Sequence, residues 1–528
     1  MSVKQPKSAQ MKERKSKIWS KLIYSRFLVI LSMLALQAFL FVLFCVKLEP
    51  YTKYFFGGSI ALSIIFIIYI VNKNGKNEFK ITWILPVAVF PVFGIAAYWF
   101  LKANWGGLAF KKKVNNGRKI TNSVLSQTDE SSKTFELYPK VQDIALYLNK
   151  MGSYPTYTFT NTTYYPNGES FFPELKEELK KAKKFIFLEF FIIEPGQAFD
   201  ELFEILKQKA KEGVQVRILF DSIGSIFISS KKTIDFFKSV GIDAKIFMPF
   251  VPIFDTGLNN RDHRKIIVVD GNVAFTGGLN LTDEYMNYSK KRFDYWKDSA
   301  IKINGPAVRT FTSMFLHLWN LNNKNSEDFA SQLNNFVNID YPRFEPQGAI
   351  IPYGDDAYNK CDIAEDIYSY IISKSHHYVH IMTPYVIIDN TMLNALIFAA
   401  RRGVEVSIIV PMHWDHFITF CVGRRFIKTL IKNGINIYGY NRGFIHSKMF
   451  VSDGNRGTCG SVNLDYRSFD HHFECGAFMY HTPILKDMEK DFTETLKDCT
   501  LITLEEYKKI PRLQRIVGWL FKIFAPLM

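Results

Sequence analysis

The chain has 528 residues, too many for one ordinary domain, and three or so folding units are expected. Its 66 Lys and Arg against 50 Asp and Glu leave a net charge of +16, which calls for an anionic partner, and its 48 Phe fit burial in or beside lipid better than a DNA-binding surface alone. The six cysteines are far apart with no CxxC, and no HExxH or Cys/His set accompanies the 11 histidines, which argues against a disulfide scaffold and a zinc site and leaves no metal expected.

Residues 1–26 carry eight Lys or Arg against the single acid Glu13 and read as a basic tail, either touching anionic head groups or acting only as a topology signal. Phe27 to Val46 is apolar over about the 20 residues needed to cross hydrocarbon and is expected to be a transmembrane helix. Phe55 to Val71 and Ile81 to Leu101 look like a helical hairpin, so residues 27–101 are assigned to the membrane. Three crossings would put the tail and the basic residues after Leu101 (Lys102, Lys111, Lys112, Lys113) on opposite sides, against the positive-inside rule. One stretch is therefore expected not to span: either Ile81 to Leu101, broken by Pro86 and Pro91, or the shorter Phe55 to Val71. Residues 102–150 are polar and read as a linker.

Two similar halves follow, 151–330 and 331–505. Each opens with an apolar run (Lys184 to Ile193; Tyr378 to Ile388). A helix with apolar residues at helical spacing comes next (Leu202, Ile205, Leu206, Ala210; Leu393, Leu396, Ile397, Ala400). Gly213 and Gly403 end those helices and lead into Val214 to Leu219 and Val404 to Ile409. A second helix and turn (Gly241; Gly434) precede a short cassette in each half. Strand, helix, strand, helix, cassette is α/β architecture, twice over. The first half has a longer approach to its cassette, with an aromatic loop from Met248 to Phe254 that suggests a lipid-facing rim or, equally, a packed loop. Residues 506–528 mix Lys and Arg with Ile, Leu, Trp and Phe at helical intervals and read as an interfacial amphipathic helix, the alternative being a helix packed on the core.

The cassettes match position for position. From His263, lysine lies at +2 (Lys265), aspartate at +7 (Asp270) and asparagine at +17 (Asn280); from His446 the same offsets give Lys448, Asp453 and Asn463. Alternation along a strand puts each His and Lys on one face. Brought together, two histidines, two lysines and two asparagines make a cationic pocket suited to a phosphodiester. Lys265, Lys448, Asn280 and Asn463 would neutralise the phosphate, one imidazole would attack, and the other would protonate the leaving alkoxide. With two lysines supplying charge, no metal or other cofactor is needed. Cations depress a histidine, so each ring calls for a carboxylate; Glu474, at +28 from His446, and Asp298, at +35 from His263, are the candidates.

The cassettes resemble the HxK(x)4D(x)6GxxN motif of the phospholipase D superfamily. Within it the chain looks most like bacterial cardiolipin synthases, through Phe90 to Gly94, Leu188-Glu189, Asn260 to Lys265, Phe275 to Tyr285, Thr383 to Tyr385, Gly443 to Lys448 and Asn463 to Phe469. The resemblance implies two phospholipase D-like halves about a pseudo-twofold axis, with membrane helices ahead of them. It further implies His263 as nucleophile, His446 as acid and then base, Glu474 and Asp298 as histidine-orienting acids, and structural parts for the cassette members Asp270 and Asp453. The implied reaction moves a phosphatidyl group from one phosphatidylglycerol to another, giving cardiolipin and glycerol. The expected partners are an anionic phospholipid and the cell membrane, crossed more than once with the catalytic part in the cytoplasm, and not nucleic acid. The alternatives are another phospholipase D-type hydrolase or phosphatidyltransferase and, against the membrane segments, a nuclease-type phosphodiesterase.

Overall fold

The computed structural model describes residues 49–102, 105–125, 129–249, 260–290, 292–321 and 326–528, with a few positions between 35 and 46. The basic tail, most of the first apolar stretch and the aromatic loop beyond Pro249 lie outside the described residues. The chain divides into two compact units, one reaching to Phe110 with two short later pieces, the other holding nearly everything from Lys111 to Lys522.

The smaller unit contains helices Thr52–Asn72, Asn77–Val89 and Pro91–Lys102. The first, of 21 residues, is long and apolar enough to cross a membrane, and it is the only such helix among the described residues. The expected second arm of a hairpin is two short helices instead. Phe90 leaves the helical region (φ −130, ψ 76) because the residue before a proline is pushed out of it, and Pro91 begins a new helix. At 1.5 Å per residue, the 13 residues of Asn77–Val89 cover about 20 Å, short of a hydrocarbon core about 30 Å thick. Phe66, Trp83 and Tyr98 pack edge to face at the centre, while Ile60, Ile64, Ile65 and Ile68 stay exposed.

The expected linker is not irregular. Residues 105–152 form helices Trp105–Val124, Asp129–Leu137 and Gln142–Gly152, because apolar residues recur in them at helical spacing and are buried: Val114 in the first, Ile144, Ala145 and Leu148 in the last.

The larger unit is α/β with two mixed sheets. The first lobe supplies β1 (Asn161–Tyr165), β2 (Phe185–Phe190), β3 (Gln215–Asp221), β4 (Ile242–Phe247), β5 (Ile266–Val269), β6 (Val273–Gly277), β7 (Trp296–Lys297) and β8 (Ala300–Asn304). The second supplies β9 (Ala349–Asp355), β10 (Tyr378–Met382), β11 (Val386–Ile387), β12 (Glu405–Pro411), β13 (Asn436–Tyr440), β14 (Phe444–Ile445), β15 (Met449–Ser452), β16 (Arg456–Gly460), β17 (Leu464–Asp465), β18 (Glu474–Tyr480) and β19 (Cys499–Leu501). The orders β4-β3-β2-β5-β6-β8-β1 and β13-β12-β10-β15-β16-β18-β9 repeat each other strand for strand, with β19 added beside β13. In each, the first three strands are parallel and the rest antiparallel. Helices Gln197–Lys211 and Asn390–Arg401 make the crossovers that parallel pairing requires.

The last segment is helical and packs on the core along one side. Helix Arg512–Phe521 packs on helix Phe417–Lys432 at Gly518, where a Cβ would lie 2.2 Å from the Cys421 carbonyl oxygen. Leu513, Ile516, Trp519 and Leu520 remain exposed.

Candidate active site

Both catalytic-cassette histidines sit where the chain enters the central antiparallel strand of its lobe, and each is gripped by the other lobe. His263 N donates to Phe473 O at 2.9 Å and Phe473 N donates to Arg261 O at 2.8 Å. Reciprocally, β14 runs parallel to β7, Phe444 N donating to Tyr295 O at 2.9 Å and His446 N to Lys297 O at 2.7 Å. Phe473 and Lys297 each immediately precede an acid. The acids therefore cross over: His263 Nδ1 lies 2.9 and 3.0 Å from the Glu474 carboxylate oxygens, and His446 Nδ1 lies 2.7 Å from Asp298 Oδ2. Each pair joins residues of different lobes. Both carboxylates are fully buried, so each ring is held with Nδ1–H on its acid, and Lys448 Nζ stands 3.1 Å from His446 Nε2.

The lysines lie within the same pocket. Lys265 Nζ donates to His263 O at 2.6 Å, and Lys448 Nζ lies 2.6 Å from His446 Nδ1 and also donates to His446 O. Burial pulls the Lys265 ammonium down to about 8 and that of Lys448 down to about 7, against the pull of Glu474 and Asp298. His263 is pushed well below the usual histidine range, first by burial and then by Lys265, Lys448 and His446. His446 falls to about 4 through burial and Lys448, partly offset by Asp298. Each imidazole thus feels both ammonium groups. Asn280 takes Ile192 N on its Oδ1 at 3.1 Å and leaves Nδ2 without a protein partner; Asn463 Oδ1 is likewise unpartnered, and rotating that amide presents its NH2.

Asp270 and Asp453, included among the cassette's candidate catalytic residues, stand apart from this chemistry. Each lies at the far end of its strand from the lysine and turns back to accept three backbone N–H groups at the start of the neighbouring strand. Asp270 receives Lys183, Lys184 and Phe185, and Asp453 receives His376, His377 and Tyr378, all at 2.7 to 3.0 Å. Both adopt the same left-handed backbone, φ 51. A carboxylate already committed to three donors fastens strand to strand, the structural part that the resemblance implied.

Other residues complete the site. Ser461 Oγ donates to Glu474 Oε2. Arg264 binds Glu189 Oε1 at 2.6 Å and lies 3.4 Å from Asp262, tying the strand beneath the site to the loop that carries His263. Glu189 was visible in the sequence as the one charge inside an apolar run, and its burial raises its carboxyl. Phe191 and His472 pack on His263, with ring centres 5.1 and 5.4 Å away; Tyr285 and Trp296 pack on His446, each at 5.4 Å. Among the described residues, His263, His472 and Glu474 bring ligand atoms within 4.8 Å of one another. A cation there would have to share Glu474 with His263 beside two lysines. The five described cysteines are free thiols.

Residues 175–319 and 368–496 match a family described as cardiolipin synthase, PLD-like domain, and residues 61–102 match one described as phospholipase D-nuclease N-terminal. A cardiolipin synthase of Geobacillus sp. is 31% identical over 506 residues, covering 95% of this chain and 99% of the relative. One of Clostridium perfringens is 34% identical over 457 residues, covering 84% and 93%. Among solved structures, phosphatidylserine synthase of Haemophilus influenzae aligns with a TM-score of 0.53 at 15% identity, over 74% of this chain and 98% of that one, an agreement in fold.

Proposed function

The chain belongs to the family of cardiolipin synthases with a phospholipase D-like domain and is a phosphatidyltransferase of that kind; we propose that it works through a phosphohistidine at His263, with phosphatidylglycerol as donor and acceptor. The observation that carries the mechanism is the pair of crossed contacts, His263 to Glu474 and His446 to Asp298.

In the first step His263 Nε2 attacks phosphorus, the bond from phosphorus to the glycerol oxygen breaks, and His446 gives that oxygen its proton. Free glycerol leaves and the phosphatidyl group stays on His263. In the second step a hydroxyl of another phosphatidylglycerol gives its proton to His446 and attacks phosphorus, and the bond to His263 breaks. One phosphodiester replaces another, so no nucleotide enters. The depressed basicity of His263 keeps it neutral, as a nucleophile must be. Asp298 and the incoming phosphate charge support the protonated form of His446. Lys265, Lys448 and the Asn280 and Asn463 amides would hold the two unesterified oxygens, where fixed donors lower the barrier most.

The chain acts at the cell membrane. Helix Thr52–Asn72 is one anchor, and the exposed Leu513, Ile516, Trp519 and Leu520 beside Arg512 and Arg515 make an interfacial face at the other end. In our reading the chain crosses more than once, the broken segment Asn77–Lys102 lies re-entrant or shallow, and the basic residues keep the catalytic part cytoplasmic. The test is lipid mass spectrometry of enzyme supplied with phosphatidylglycerol, run beside His263→Ala and His446→Ala. Cardiolipin with glycerol, lost in both variants, is the expected result; phosphatidic acid alone would mean a hydrolase.

A further inference from the structure

The two catalytic imidazoles have unlike surroundings. Two residues before each orienting acid stands a ring packed on the histidine which that acid holds: Trp296, before Asp298, on His446, and His472, before Glu474, on His263. The positions are equivalent and the chemistry is not. Apart from Asp298 and Lys448, His446 lies against a cluster of aromatic rings. Tyr285 and Trp296 pack at a tilt with centres 4.6 Å apart, Phe444 lies 5.0 Å from Trp296, and Phe293 lies 4.9 Å from Phe444. Tyr285, Trp296 and Phe444 are each more than nine-tenths buried. Beyond Phe444 a cleft opens that is lined by Phe420 and Ile427 together with His413, Asp415 and Arg424. His263 packs on Phe191 and on a polar ring: neither nitrogen of His472 has a hydrogen-bond partner, and its Nδ1 stands 3.7 Å from Glu474.

In-line displacement puts the departing and the incoming alcohol opposite the nucleophile, on the side of the acid and base. That side is the aromatic one. We propose that Trp296 and Tyr285 form the acceptor subsite, admitting the glycerol head group of a phospholipid and excluding water, and so set transfer above hydrolysis. This rests on the roles given above to His263 and His446. Water loses hydrogen bonds against an aromatic wall, whereas the carbon skeleton of a lipid alcohol gains contact with it. Trp296 Nε1–H, buried and unpartnered, supplies one donor for the hydroxyl adjacent to the reacting one. A polyol brings a second hydroxyl to that donor, and a simple alcohol does not.

The experiment measures phosphatidic acid against cardiolipin made from phosphatidylglycerol vesicles by the full-length enzyme. Trp296→Ala and Tyr285→Ala are expected to raise that ratio at least tenfold over wild type, whatever they do to the total rate. Trp296→Phe keeps the wall and removes the N–H, so it should hold the ratio low while reducing phosphatidylglycerol relative to ethanol as acceptor. His472→Ala, on the opposite ring, should slow turnover without moving the ratio. An unchanged ratio in the Trp296 and Tyr285 variants, or an equal rise in His472→Ala, overturns the proposal. Should wild type yield no cardiolipin, the function assigned above fails separately, and the subsite is then judged from phosphatidylethanol against phosphatidic acid with ethanol supplied.

Discussion

Asp298 of the first lobe holds His446 of the second at 2.7 Å, and Glu474 of the second holds His263 of the first at 2.9 Å. The acid that follows each cassette in the chain thus serves the other cassette's histidine, and the two acids should govern different chemical events.

The cleanest separation uses a phosphatidyl ester of p-nitrophenol, whose leaving group needs no proton. With it, Glu474→Gln should lose the burst of p-nitrophenolate by about 10²-fold or more, because His263 loses its tautomer and its support. Asp298→Asn should keep the burst and lose a comparable factor in turnover, because discharge needs His446 as base. Bursts that fall equally in both variants would contradict the assignment.

Gly278 and Ser461 occupy the same cassette position and are not exchangeable. A Cβ on Gly278 would lie 2.1 Å from Asp298 Oδ1, so Gly278→Ala must push that carboxylate off His446 and should imitate Asp298→Asn in a folded protein. Ser461→Ala removes one hydrogen bond from Glu474 and should cost about tenfold in kcat, near the 1.4 kcal/mol of one such contact. A Gly278→Ala enzyme with wild-type turnover would sink this reading.

Asp270→Ala and Asp453→Ala should lower stability and spare catalysis. Each strands three backbone N–H groups, partly open to water, for a loss of about 1–3 kcal/mol measured by denaturant titration. Turnover per folded molecule should stay within about twofold of wild type, since neither carboxylate reaches a catalytic histidine. A hundredfold fall in kcat at unchanged stability would instead return both residues to the chemistry.

The pH profile follows from the buried cations. In the free enzyme His446, the acid of the first step, is depressed to about 4, Lys448 loses its proton near 7 and Lys265 near 8, so kcat/KM should decline as pH rises above about 4 and more steeply past 7. A bound phosphodiester raises both lysines, so the decline in kcat should lie at higher pH. No acid limb is expected near 6.5, because His263 and His446 are both depressed. The same depression acts on folding. The unfolded chain takes up these protons near 6.5 and the folded one does not, so stability should fall as pH drops from about 6.5 toward 4. Initial rates and melting curves from pH 4 to 9 check both statements.

Much of this was legible in the chain. The cassette spacing is rigid because a β-hairpin, β5–β6 or β15–β16, separates the lysine from the asparagine, and the doubled strand and helix order is written in alternating apolar runs and terminal glycines. The crossing of the acids was not legible, since it depends on Phe473 and Lys297 pairing with the opposite lobe, contacts between residues about 210 and about 150 positions apart. The polar stretch after residue 102 misled for a different reason. Its helices bury only a narrow stripe, such as Val114, Ile144 and Leu148, and the surrounding Ser, Thr and Asn hide it. The equivalence of Trp296 and His472 becomes visible only after each acid has been matched to its ring.

The reciprocal backbone ladders make the two lobes hostages of each other. A protease cut in the exposed connection near 340–346 would break the chain yet leave every imidazole beside its acid. Pulling the lobes apart would strip both rings at once, so no separated lobe retains even half a catalyst.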